Sequence, residues 1–408
     1  MIKKLLANVG DYKKASLLTP VYVAGEVALD VIMPLIMAMM IDQGIEKGHA
    51  GVILRYGGLL FLCSLLALML GTLGGRTAAI ASAGFARNLR HNLFSKIQDF
   101  SFSNIDRFSS SSLITRMTTD VTNVQNAYQM IIRILVRSPL ILVFSLIMVS
   151  TISPELMLVY LVVLPILAIG LALVIRFAHP LFLKVFRIYD RLNNVVQENL
   201  QGIRVVKSYV REEQQEELFD EVSNDVYRNF TLAQRIVSFN MPLMQFSIYS
   251  CMLLLSWFGA QLIVEHSSLT TGELVSMFNY TMQILMSLMM MSMAFVQILI
   301  ARTSAQRVVE VLDEESDLKN PASPLTEVKD GSIVFENACF SYANDQTRLA
   351  LENVNLRIES GEVIGIIGGT GSAKSTLVQL IPRLYDVIDG RVLVGGQDVR
   401  AYDLAALR

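Results

Sequence analysis

Apolar residues along this chain gather into six long blocks, separated by polar stretches that are either short or strongly basic. The blocks cover approximately 18–45, 52–78, 130–151, 155–177, 241–264 and 273–301. Each is long enough for the roughly 20 helical residues that cross a bilayer. The pattern therefore predicts an all-α polytopic membrane domain with six spans. The connections near 46–51, 152–154 and 265–272 are short and poor in basic residues, whereas 79–129 and 178–240 are long. Lys and Arg concentrate at the N-terminus and in 76–96, 176–235 and 302–307. Such an excess marks the cytoplasmic side, so both ends of the membrane domain are predicted to be cytoplasmic.

The two long connections keep a helical rhythm. Phe85, Leu89, Leu93 and Ile97 repeat in the first, and Leu192, Val195, Val196, Leu200 and Ile203 in the second. Helices are thus expected to run on past the membrane, and twenty extra residues at about 1.5 Å each reach roughly 30 Å. Each connection also carries a corner. In 102–116 the Ser and Asn residues favour caps over helix interior; in 198–209 Gly202 relaxes the backbone. A corner of this kind would offer a short crosswise helix to a soluble partner, although a plain hairpin has the same rhythm. Pro20, Pro34, Pro139, Pro165 and Pro242 lie in or beside spans, where they bend helices in moving and static bundles alike.

Ahead of the first span, 1–17 carries Lys3, Lys4, Lys13 and Lys14 around Leu5, Leu6, Val9 and Tyr12, without a small-residue cleavage pattern. It reads as an amphipathic helix at the cytoplasmic surface. At the other end the apolar blocks stop after Arg307, and the membrane domain is bounded at 18–310. A charged linker, 311–330, leads into a partial α/β nucleotide-binding domain, 331–408, with strands expected over 332–336, 349–358 and 362–367. The last strand opens into Gly368, Gly369, Thr370, Gly371, Ser372, Ala373, Lys374, Ser375 and Thr376, followed by Leu377, Leu380, Ile381 and Leu384 at helical spacing.

Strand, glycine-rich turn, Lys-Ser and helix form the context of a P-loop. Backbone N–H groups of such a turn converge on phosphate oxygens, and the following helix start adds a favourable dipole. Lys374 would neutralise β- and γ-phosphates of ATP, and the Ser375 hydroxyl would complete a Mg²⁺ shell. Ala373 stands where the second defining glycine is expected, which is compatible if its φ is below zero. Upstream, Tyr342 offers a flat π face on which adenine could stack, or it serves only as packing.

Composition sharpens this picture at three points. With 53 % hydrophobic and 17 % charged residues and a mean hydropathy of +0.48, the 408-residue chain is too apolar for an ordinary soluble protein. A net charge of −2 with scattered basic residues argues against a nucleic-acid partner. Cys63, Cys251 and Cys339 are far apart and form no CxxC or Cys/His set, so they read as small buried thiols.

Taken together, these segments resemble the ATP-binding-cassette exporters of the multidrug and lipid type, over essentially the whole chain. The marks are SSLITRMTTD at 111–120, ENLQGIRVVKSYVRE at 198–212, VFENACFSY at 334–342, the P-loop, RLYD at 383–386 and GGQDVR at 395–400. The resemblance implies that the two corners are coupling helices touching the ATP-binding domains. It also implies that Tyr342 stacks on adenine, that ATP is sandwiched between two such domains, and that alternating access moves an amphipathic solute or lipid outward. Ala373 is similar to a variant of heterodimeric bacterial multidrug exporters, a hint that the second half-transporter subunit is a different chain. The family's glutamine loop, signature sequence, catalytic glutamate and switch histidine do not occur before Arg408. No catalytic residue is therefore assigned, and the chain reads as part of a longer protein. An ATP-binding regulator or channel shares the same motifs.

Two features bear on what is moved. Met277, Met282, Met286, Met289, Met290, Met291 and Met293 crowd the last span, where flexible thioethers adapt to varied apolar ligands or simply pack helices. Glu26 and Asp30 are four residues apart on one face of the first span, well inside the membrane. Intramembrane carboxylates are costly. The pair either fixes packing or lines a cavity that favours cationic amphipaths.

Overall fold

The computed structural model describes residues 1–266, 269–343 and 345–408. Helices dominate: α1 (Ile2–Ala7), α2 (Lys13–Met40), α3 (Ala50–Gln98), α4 (Phe102–Phe108), α5 (Ser110–Thr115), α6 (Val121–Ile152), α7 (Pro154–Ser208), α8 (Glu212–Ser238), α9 (Asn240–Gln261) and α10 (Thr271–Asp313). Six helical stretches among the described residues are long and apolar enough to cross a membrane, matching the six blocks in order. They run well beyond a bilayer's width, since α3 has 49 residues and α7 has 55. Of the expected outer connection 265–272, residues 267 and 268 lie outside the described residues.

The chain divides into two compact units. One comprises Leu17–Ala78 and Met130–Phe295 and holds the membrane-spanning segments. Its core is a continuous apolar cluster that includes Val23, Val27 and Val31 of α2, Tyr160 of α7, Leu255 of α9, and Met277, Tyr280 and Ile284 of α10. Pro34 has no N–H, so the Asp30 carbonyl one turn earlier loses its helical donor. Gln283 Nε2 supplies a donor at 3.0 Å. On the same face of α10, Tyr280 Oη donates to Val31 O at 2.8 Å and Ser276 Oγ to Pro34 O at 2.5 Å. The stretch of α2 around Pro34 is thereby stitched to three donors spaced along one stripe of a neighbouring helix, as membrane-buried backbone requires.

The second corner differs from expectation. Helix α7 runs straight through Gly202 to Ser208, and the chain reverses at Tyr209–Arg211 with Val210 at φ +54°. A single glycine costs a helix only about 1 kcal/mol, too little to end a helix of 55 residues. This corner is a tight turn between α7 and α8, with no separate helix.

The other unit comprises Met1–Ser16, Ala79–Gln129 and Val296–Arg408. Phe85, Leu89 and Leu93 of α3 are buried at the predicted spacing, against Val121 and Val124 of α6 and Val308 and Val311 of α10. The first corner does form a separate helix. Ser101 caps α4, its Oγ accepting from Asn104 N while Asn104 Oδ1 accepts from Ser101 N. Ser109, at φ +57°, separates α4 from α5. The N-terminal helix is shorter than the expected 1–17, because it gives way to a turn at Gly10, φ +50°.

In the same unit a four-stranded antiparallel sheet is built from β1 (Ile333–Phe340), β2 (Leu351–Ile358), β3 (Asp389–Val394) and β4 (Gln397–Asp398), in the order β2-β1-β3-β4. Between β2 and β3 lies α11 (Lys374–Leu380). Phe335, Phe340, Leu380, Val392 and Tyr402 form its core. The expected strand over 362–367 is not formed. That segment pairs with none of the four strands, and Val363 and Ile367 are 97 % and 98 % exposed. Apolar β-branched residues favour a strand only when a ladder partner is beside them.

Candidate functional site

Residues 368–376 form a tight turn leading into α11. Gly371 sits at φ +86°, a conformation open to glycine. A Cβ on Gly368 would lie 2.7 Å from Ser372 Oγ, so a side chain there would crowd the turn. Lys374 Nζ folds over the turn and donates to Gly368 O at 2.9 Å, Gly369 O at 2.7 Å and Ser372 Oγ at 3.2 Å. Carbonyls thus hold the ammonium over the loop that phosphates would enter. Ser375 is exposed at the first turn of α11, whereas Thr376 is buried.

Ala373 does not have the negative φ that would make alanine innocuous. It adopts φ +57°, ψ +26°, the left-handed region. For a residue with a Cβ this costs about 1–2 kcal/mol, so the position retains the geometry of the glycine it lacks. Ala373→Gly is expected to raise the unfolding midpoint of the full-length protein, the relief being partly offset by the greater freedom of an unfolded glycine. Thermal unfolding of both proteins checks this; a lower midpoint for the glycine variant contradicts it.

Tyr342 follows β1 and stands over α11, its Oη sharing a 2.9 Å hydrogen bond with Thr376 Oγ1. Two rings meet it nearly at right angles: Phe340 at 4.9 Å and 82°, and Tyr385 at 5.3 Å and 87°. With both contacts the ring remains 55 % exposed. Tyr342 is therefore joined directly to the first turns of α11, the helix that Lys374 opens.

Helix α4 meets this unit as well. Tyr385 Oη donates to Asp106 Oδ2 at 2.7 Å, and its ring lies 6.0 Å from that of Phe102. Burial pushes the Tyr385 phenol above its usual range, and the hydrogen bond to Asp106 adds to the rise. Other α4 side chains grip the end of α10. Arg107 clasps Glu314 with two 3.0 Å hydrogen bonds, and Asn104 Nδ2 donates to Glu314 Oε1 at 2.8 Å.

In the membrane unit Glu26 and Asp30 are bridged by a residue that sequence reasoning passed over. Arg137 of α6 places Nη1 2.5 Å from Glu26 Oε1 and Nη2 2.8 Å from Asp30 Oδ2. Glu26 Oε2 is buried and has no hydrogen-bond partner. Two carboxyl groups share one guanidinium, a formal charge of −1. The signal for Arg137 was available, since a basic residue inside the 130–151 block deserves the same scrutiny as an acidic one.

The thiols bear out a bland reading in the main, with Cys63 and Cys251 buried and Cys339 half-buried. Among the described residues no group of three or more His, Cys, Asp or Glu could hold a metal ion. Any Mg²⁺ at the turn would rest on Ser375 and on oxygens brought by the nucleotide, a donor set that suits it.

Comparison with known families decides what these pieces are. Residues 18–289 match the model of the ABC transporter transmembrane region, which is more than half of the chain. The chain belongs to the ABC transporter family. Residues 351–408 match a second ABC transporter model, covering α11 and the P-loop. Similar proteins are bacterial. The uncharacterized ABC transporter ATP-binding protein YfiB of Bacillus subtilis is 32 % identical over 407 residues, covering 100 % of this chain and 70 % of YfiB. The uncharacterized ABC transporter ATP-binding protein Rv1273c of Mycobacterium tuberculosis is 33 % identical over 379 residues, 91 % of this chain and 64 % of its own length. A fatty acid ABC transporter ATP-binding/permease protein of Mycobacterium bovis is 29 % identical over 320 residues, 78 % of this chain and 50 % of that protein. This ABC transporter chain is thus a multi-pass membrane protein in the half-transporter arrangement, one transmembrane region followed by part of an ATP-binding domain.

Proposed function

We propose that this chain is one subunit of an ATP-driven exporter that moves amphipathic small molecules or lipids outward by alternating access. Its N-terminus and ATP-binding domain face the cytoplasm, and a second half-transporter subunit completes the pump. The observation that carries the reading is the attachment of the P-loop unit to α4, a corner helix continuous in sequence with the apolar blocks. A nucleotide-dependent change there has a direct mechanical route toward the membrane helices. In this reading Tyr342 stacks on adenine, the N–H groups of 368–376 and Lys374 hold the phosphates, and Ser375 binds Mg²⁺. ATP hydrolysis belongs to the full-length dimer. Vanadate-sensitive ATPase activity that rises with added amphipaths is expected of the full-length protein; nucleotide binding without such turnover would favour a regulator or channel.

Ala373 supports pairing with a different chain, because its backbone strain sets this P-loop apart from an all-glycine one. A fully active homodimer, seen as mass in detergent together with ATPase rate, contradicts this pairing. A lipid-like substrate draws support from the relative named as a fatty acid transporter. Met282, Met286, Met290 and Met293 are exposed along one stripe of α10 and suit ligands of varied shape.

The Glu26–Arg137–Asp30 cluster is proposed to bias the cavity toward cations through its net negative charge. Glu26→Gln with Asp30→Asn keeps shape and hydrogen bonding while removing that charge. Accumulation of a cationic dye in inside-out vesicles is then expected to fall several-fold more than that of a neutral dye of similar size. Equal losses, with normal assembly, leave the cluster only a packing role.

A further inference from the structure

Two charged side chains in the membrane unit are left without full partnership. Glu26 gives Oε1 to Arg137, but its Oε2 is buried and accepts no hydrogen bond, with the side chain only 12 % exposed. Arg133 lies one turn before Arg137 on α6, inside the third apolar block. It is half-buried and has neither a hydrogen bond nor an ion pair among the described residues. An unpaired guanidinium and an unpaired carboxylate oxygen thus occupy the same bundle without meeting.

Helix α3 shows how they are arranged. A Cβ on Gly71 would lie 3.1 Å from Glu26 Oε1 and 3.4 Å from Oε2. A Cβ on Gly75 would lie 3.6 Å from Arg133 Nη1 and 3.8 Å from Nη2. The two glycines are one turn apart on one face of α3, about 6 Å along the helix axis. They carry no side chain where the carboxylate and the guanidinium approach, and they mark the spacing between the two charges.

We propose that Glu26 and Arg133 are the two ends of a site for a zwitterionic lipid headgroup, a phosphate joined to a primary ammonium by a two-carbon bridge. The ammonium meets Glu26 and the phosphate meets Arg133. The proposal rests on the export reading given above and names a substrate class within it.

Each end follows from elementary chemistry. A buried carboxylate oxygen without a donor is unfavourable, and a primary ammonium brings three N–H donors to it. A trimethylated ammonium brings none. A guanidinium inside an apolar block is unfavourable too, and such residues mark substrate pathways; its planar fork matches phosphate oxygens. By ordinary bond lengths a two-carbon bridge keeps ammonium and phosphate about 4–6 Å apart, which suits charges one helical turn apart. Charge balance points the same way. Glu26 and Asp30 are acidic and Arg133 and Arg137 basic, so the set is formally neutral. A zwitterion leaves it neutral, whereas a ligand of one sign adds a charge that a low-dielectric site does not tolerate well. The cationic preference proposed for the Glu26 cluster is the demand of one end, and Arg133 sets the demand of the other.

The order of the two ends fits outward movement. Helices α2 and α6 both start on the basic side of the membrane unit, so Glu26, level with Gly71, lies deeper than Arg133, level with Gly75. A headgroup leaving the inner leaflet then enters with its ammonium first and its phosphate behind, and the acyl chains trail.

The test uses the full-length protein in detergent micelles, without nucleotide, and lipids labelled on an acyl chain. Phosphatidylethanolamine is expected to bind about 10-fold more tightly than phosphatidylcholine or phosphatidylglycerol, the scale of one hydrogen bond to a charged group. Glu26→Gln is expected to bring phosphatidylethanolamine and phosphatidylcholine within about two-fold of each other. Arg133→Gln weakens both about 10-fold while keeping their ratio, and Arg133→Lys restores most of that loss. Equal wild-type affinities for the two lipids overturn the ammonium end, and this comparison needs no variant to fold. Unchanged affinities in Arg133→Gln overturn the phosphate end, and a parallel loss for every lipid in both variants leaves only a packing role and overturns the site. Soluble glycerophosphoethanolamine is expected to displace the labelled lipid only at about 100-fold higher concentration, since burial of the acyl chains adds to affinity; displacement at equal concentration overturns the lipid assignment. Absence of vanadate-sensitive ATPase activity overturns the export reading instead, and is told apart because lipid binding is measured without nucleotide.

Discussion

Replacing Lys374 with alanine is expected to weaken MgATP binding by the full-length protein about 100-fold, the cost of losing two charge-assisted hydrogen bonds of at least 1.5 kcal/mol each. Lys374 is the one basic residue between 366 and 380, so no neighbour in the loop can substitute for its charge. Its ammonium is already placed over the turn by the carbonyls of Gly368 and Gly369. Phosphate oxygens would compete for the same donors at little reorganisation cost. Removing the side chain also removes three loop-closing hydrogen bonds, which loosens the turn before any nucleotide arrives. Titration with a fluorescent ATP analogue checks the prediction. Unchanged affinity would mean that the phosphates bind elsewhere.

The second large effect concerns stability. Asp120 is fully buried, and Arg307 of α10 donates to its Oδ1, while Oδ2 lacks a partner. A reciprocal pair lies beside it, with Arg116 Nη1 2.7 Å from Glu310 Oε2 and 2.7 Å from Arg307 O. Two bridges of opposite sense thus cross between 116–120 and 307–310, joining the chain after the first corner to the helix that leads to the ATP-binding domain. Arg307→Ala would leave a buried carboxylate without its counter-charge, at a cost of about 3 kcal/mol. The unfolding midpoint is expected to drop by several degrees. Adding Asp120→Asn should restore much of the loss, because the stranded charge is then gone. A double variant as unstable as the sum of the two single ones would show that the pair is not the source.

What could be read from sequence follows from how local each signal is. The six spans were legible because hydropathy is summed over some twenty neighbouring residues. Burial of Phe85, Leu89 and Leu93 followed from their spacing, and α4 from the Ser and Asn residues that cap it. Features set by distant partners were not legible. Asp106 and Tyr385 are 279 residues apart, and Asp120 and Arg307 are 187 apart. Gly202 misled because one local breaker was weighed without the long helix on either side of it. The 362–367 segment misled because strand propensity says nothing about whether a ladder partner is present. Ala373 lies between these cases. Its place in the motif was plain, but its left-handed backbone follows from the turn geometry that the motif imposes, which outweighs alanine's own preference.

The central claim is that nucleotide bound at this P-loop drives movement through the six-span domain. Uptake of a lipophilic dye into inside-out vesicles containing the full-length protein, together with its partner subunit, tests that claim most directly. MgATP is expected to drive accumulation that vanadate blocks and Lys374→Ala abolishes. Accumulation at the wild-type rate by Lys374→Ala, or none with wild-type protein that binds and hydrolyses ATP, would contradict it.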